Sequence, residues 1–135
     1  MKQTDDLLDR IDMGPAGRPF AFGLDAEPLT TRAAAELFED MNARTVHKTD
    51  VVLPNGRPAV VRTICLVFDD LLATCVASEL PADYVPQVFG SALYAADDPG
   101  HLLGTLWTYG LPAEAKAGHG EAVEEFASGR ARVAA

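Results

Sequence analysis

The side chains here that could do chemistry are three histidines, two cysteines and several paired aspartates. His119 stands out among them. It falls on a helical face with Ala115, Ala122 and Phe126, where the neighbours are small or apolar and burial should hold its ring neutral. An imidazole so placed is either a core residue whose nitrogens meet a carbonyl, hydroxyl or carboxylate, or a proton carrier in a cleft beside a carboxylate or tyrosine. The first is expected, because Gly118, flanked by Ala115 and Ala122, suits close approach of the helix to a sheet.

A metal site would need several of His47, His101, His119 and the carboxylates to converge, and no two share ligand spacing on one element. Asp5-Asp6, Asp69-Asp70 and Asp97-Asp98 lack the alternating oxygens and central glycine of a calcium loop and read as caps, turns and solvated surface. Gly14-Pro15-Ala16-Gly17-Arg18 has no strand leading in and no lysine and hydroxyl following, so it is a plain loop rather than a phosphate cradle. Cys65 sits inside the most apolar run, and neither it, Cys75 nor any serine stands in a nucleophile elbow. No catalytic residue, cofactor or metal ligand is therefore expected, and the chain reads as a non-enzyme.

Trp107 and Tyr109 alternate along one strand, and Tyr94 and Phe89 lie on the strand before. Such a group either packs under the last helix or forms a sheet face that anchors a partner. Tyr84, Tyr94, Trp107 and Tyr109 are thus the candidate interaction residues, and His119 is the candidate buried polar site.

The elements that must position these residues follow from periodicity and turn chemistry. Thr4 can cap a short opening helix that carries Leu7, Leu8 and Ile11 and stops before Gly14-Pro15. Gly14 to Pro28 reads as a loop with an extended stretch, tacked down by Phe20 and Phe22. Thr30 or Thr31 caps a helix to about Asn42, with Ala34, Leu37, Phe38 and Met41 on one face. Thr45 to Leu53 and Ala59 to Phe68 are β-rich and meet across Pro54-Asn55-Gly56-Arg57-Pro58 in a hairpin, the second strand central and covered on both faces.

Asp69 to Leu80 fits either a helix stopped by Pro81 or a strand through Thr74-Cys75-Val76, with the balance toward helix. Val88 to Ala95 and Leu102 to Tyr109 form a second hairpin about Asp97-Asp98-Pro99-Gly100. Pro112 opens a last helix that runs to about Ser128, where Gly129 stops it. The expectation is an α+β fold: a small antiparallel sheet of about four strands in two hairpins, a C-terminal helix packed on one face, and one or two N-terminal helices. It is one domain over residues 1–135, with 1–28 loosely packed and 129–135 a tail.

Composition bounds the partners. At 135 residues and 48% apolar content the chain can bury a core without disulfides or a structural metal. A net charge of -9 disfavours direct nucleic-acid binding and anionic membranes. No apolar run is long enough to span a bilayer, and the acidic start is unlike a signal peptide, which points to a cytoplasmic protein.

The C-terminal half resembles a family of small proteins from actinobacteriophages and related actinobacterial genomes. The resemblance is carried by Thr63 to Asp70, Phe89 to Tyr94, Tyr109, and Glu114-Ala115-Lys116-Ala117-Gly118-His119 with Val123. Gly90-Ser91 stand where that pattern has Glu-Thr, Leu111 where it has a capping threonine, and Asp70 where it has a histidine; Leu71 to Val85 looks like an insertion. The resemblance implies a phage-like origin, hence the host cytoplasm or a virion as location, and leaves the chemistry open. The leading expectation is an accessory protein that binds a protein partner, such as a host factor, without catalysis. The alternatives are a virion or assembly component forming a homo-oligomer, and a small-ligand binder or enzyme using His119.

Overall fold

The computed structural model describes residues 7–131, apart from the side chains of Pro99, Thr105 and Leu106. Its architecture is α+β. Four strands, β1 (Thr45–Val52), β2 (Pro58–Cys65), β3 (Phe89–Ala95) and β4 (Asp98–Tyr109), form an antiparallel sheet in the order β1-β2-β3-β4. Helix α1 (Thr31–Phe38) and the single turn α2 (Met41–Arg44) precede the sheet, the short α3 (Asp70–Thr74) and a 3-10 turn (Ala77–Glu79) lie between β2 and β3, and α4 (Pro112–Ala127) closes the fold.

The expected helix over 31–42 is two helices. Asp40 takes an extended backbone conformation and its carboxylate accepts from the Ala43 amide, so it ends one helix and caps the next. The first hairpin turns within the expected segment, through Pro54-Asn55-Gly56, with the Gly56 N–H donating to the Leu53 carbonyl and Gly56 taking φ +86°. β2 stops at Cys65 rather than Phe68, since Val67 adopts φ +68° and turns the chain away. The second hairpin turns on Ala96-Asp97, with Asp98 already paired to Ala95, so the Asp98-Pro99-Gly100 signal lies within the strand.

Segment 69–80 divides into α3 and the 3-10 turn, separated by extended residues at Cys75 and Val76. At the N-terminus residues 7 and 8 are helical, and Thr4 lies outside the described residues. Residues 20–22 are not loose. Phe22 N–H donates to the Val67 carbonyl at 2.7 Å, the Asp69 N–H donates to the Phe20 carbonyl at 2.8 Å, and Ala21 and Phe22 are buried.

The sheet has two unlike faces. Ala122 and Phe126 of α4 cluster with Ala59, Val61, Leu93 and Leu103, and Ala115 joins a second apolar cluster with Cys65 and Phe89. The helix ends as expected at Ser128, with Gly129 at φ +78°. Residues of opposite parity, Val60, Arg62 and Ile64 on β2 and Ala92 and Tyr94 on β3, line the other face.

Candidate binding face

Under α4, His119 is 8% exposed and both its ring nitrogens are engaged. Nε2 hydrogen-bonds Thr49 Oγ1 of β1 and Nδ1 hydrogen-bonds Thr63 Oγ1 of β2, each at 2.8 Å; Thr63 in turn meets Ser91 Oγ of β3 at 2.6 Å. Three strands therefore each supply one hydroxyl to a relay that ends on one helix residue. Neutral imidazole has one donor and one acceptor nitrogen, so either tautomer completes the chain by turning the hydroxyls together. Burial, and then the charge of His47, whose ring centroid lies 5.4 Å away, push His119 below its ordinary value of 6.5. Thr63 and Ser91 are fully sealed from solvent, so the relay locks the helix to the sheet.

The aromatic candidates do not share a face. Tyr109 pairs across the strands with Phe89 and its ring lies against Gly118, where an added Cβ would strike Cζ, Cε1 and the hydroxyl. Its hydroxyl is buried without a partner. Tyr94 points the opposite way from Phe89, because five residues along a strand reverse the side. Burial pushes the Tyr94 phenol up, against the opposing influence of Arg44 and Arg62. Tyr84 is a structural tyrosine: its hydroxyl donates to Asp69 Oδ2 at 2.7 Å, and burial followed by that carboxylate raises its pKa. Asp69 also accepts from the Leu72 and Gln87 amides, fastening α3 to the start of β3. Of the four, Trp107 alone is largely exposed, at 42%.

Two further features had no place in the sequence reading. The first is β4 as a free edge. From Leu102 to Tyr109 it carries no charged residue, and Leu102 is 48% exposed. The opposite edge, β1, carries Lys48 and Asp50, the charges that normally discourage strand pairing. The second is a cleft of about 500 Å³ on the face away from α4, lined by Lys48, Asp50, Val52, Val60, Arg62 and Ala95 among others. The signal for it was a lone arginine within the apolar β2 run.

Among the described residues no group of three or more histidines, cysteines or carboxylates is placed to hold a metal ion, and no helix is long and apolar enough to cross a membrane. Fold and faces together define a small α+β domain with one sheet face closed by a helix and the other open to a cleft. Comparison with family models, curated proteins and solved structures finds no match to this chain.

Proposed function

We propose that this chain is a non-enzymatic binding protein that takes a short strand of a protein partner onto the free edge of β4. The observation that carries the reading is the contrast between the two edges: β1 is guarded by Lys48 and Asp50, whereas Leu102 to Tyr109 is uncharged, with Leu102 and Trp107 turned to solvent. Such an edge offers main-chain hydrogen bonds for affinity and apolar side chains for selectivity. Engagement of both His119 nitrogens by threonine hydroxyls favours binding over proton transfer.

Pairing of β4 with a second copy, as in an assembly component, is less favoured. The register of β4 against β3 shifts at three places, and such bulges twist an edge away from long, continuous pairing while leaving room for a short strand. The resemblance of the C-terminal motif accords with a phage accessory protein whose partner is a host factor.

The test is light scattering of the purified protein across a range of concentrations, followed by selection of extended peptides from a random display library. The reading expects a monomer, and peptides that lose binding on Trp107→Lys and Leu102→Lys. A discrete concentration-dependent oligomer broken by the same substitutions would replace the foreign strand with a second copy. Binding indifferent to both substitutions would refute the edge altogether.

A further inference from the structure

Arg62 occupies the middle of the central strand, on the face away from α4, and is only 7% exposed. Its Nη1 makes one long contact to Thr45 Oγ1 at 3.4 Å, and its Nε is buried with no acceptor. The Nε edge of the guanidinium, which grips carboxylates and phosphates side-on, is therefore empty-handed. Burying a charged donor without an acceptor is strongly unfavourable, so folded chains rarely leave one. Arg44, the other buried arginine, shows the ordinary solution: its Nε donates to the Cys65 carbonyl at 2.9 Å and its Nη1 to the Phe38 carbonyl at 3.1 Å.

The register adds a second anomaly. Lys48 of β1 stands directly opposite Arg62 of β2, and like charges in that position repel. Asp50 is one diagonal step from Arg62, yet no ion pair joins it to either cation among the described residues. A chain with net charge -9 thus keeps two adjacent cations on one cleft, with Asp50 on the same rim but within ion-pair reach of neither. The ring of Tyr94 lies beside the guanidinium, its centroid 5.9 Å from Cζ, and supplies no acceptor to Nε.

We propose that this cleft binds a small organic anion, its carboxylate or phosphate head held between the Arg62 guanidinium and Lys48, its short apolar body lying on Val52 and Val60. The cleft volume of about 500 Å³ falls within the range of small-molecule sites. Because Nε is sealed as the side chain stands, a small turn of the guanidinium toward the cleft would let the anion take this donor and bridge the two like charges in one step. This site lies on β1, β2 and β3 and does not depend on the β4 edge.

The experiment is an NMR titration of the labelled full chain with inorganic phosphate and, separately, with sodium hexanoate, each referenced to sodium chloride at equal ionic strength. The expected result is saturable shifts at the Arg62 Nε–H and at the backbone amides of Lys48, Val60 and Ala95. Stronger binding of phosphate or of hexanoate assigns the head group. Arg62→Lys, which keeps the charge and loses the fork, should weaken binding on the order of 10-fold or more. Lys48→Met should weaken it several-fold, and this rim substitution keeps the test decisive if changes at Arg62 impair folding. Arg62→Met should abolish binding while leaving the midpoint of thermal unfolding unchanged or raised. The proposal is overturned if neither anion shifts these signals beyond chloride, or if both bind Arg62→Lys and Lys48→Met as tightly as the native chain.

Discussion

Gly118→Ala offers a sharp test of how α4 sits on the sheet. In an ordinary helix interior the change stabilises by roughly 0.5–1 kcal/mol, because alanine loses less backbone freedom than glycine. Here the new methyl would overlap Cζ, Cε1 and the hydroxyl oxygen of Tyr109, far closer than packed atoms approach. The half-buried ring can yield only by swinging off the helix toward the cleft it lines with Val85 and Gln87, which gives up its packing on Gly118. Overpacking of this kind costs about 1–3 kcal/mol, and three overlapping atoms place it near the upper end. Net destabilisation of about 2 kcal/mol remains after the helix-propensity gain, a fall in Tm of roughly 5–10 °C for a domain of this size. Urea unfolding gives the number directly. The same substitution in a Tyr109→Ala background should become stabilising by roughly 0.5–1 kcal/mol, because only the propensity term survives. If Gly118→Ala is neutral or stabilising with Tyr109 intact, the ring does not lie where the fold puts it.

Thr63→Val keeps the shape of the side chain but leaves Ser91 Oγ and His119 Nδ1 without partners, so it should cost about 2–4 kcal/mol in urea unfolding, while Thr49→Val at the half-buried end costs about 1. The His119 relay also sets a pH dependence. Because its folded pKa lies below the ordinary 6.5, the unfolded chain binds the proton more readily, so this contribution is complete above about pH 6.5 and is lost as pH falls from there toward the lowered value. Urea midpoints at pH 7.5 and 5.5 should differ more for the native chain than for His119→Gln, and equal differences would remove His119 as the cause.

Much of the relay's frame can be read in the sequence. The period of α4 groups Ala115, His119, Ala122 and Phe126, and the two-fold alternation of β2 separates Thr63 from Arg62. Which hydroxyls meet the histidine depends on strand order and register, long-range facts that local pattern does not carry. The first hairpin shows why: a two-residue turn at Asn55-Gly56 would set Thr49 opposite Arg62, whereas the three-residue turn Pro54-Asn55-Gly56 pairs Val52 with Pro58 and, four steps on, Lys48 with Arg62, so the opposed cations depend on the turn type. The near-continuous apolar run around Arg62 concealed them by suggesting that both faces of β2 were simply covered.

The aromatic grouping failed for a related reason. Phe89 and Tyr94 sit five residues apart and so face opposite ways, and Trp107 follows a register shift that the sequence does not announce. The division of 31–42 into two helices turned on one side chain, Asp40, whose carboxylate prefers to cap the following turn.

The claim that β4 is the contact edge is tested most directly by hydrogen exchange on the complex with a display-selected peptide. Slowed exchange is expected at amides along Leu102 to Tyr109, lost together with binding in Trp107→Lys. Protection confined to the outer surface of α4 or to the guarded edge of β1, with β4 exchanging as in the free chain, would contradict it.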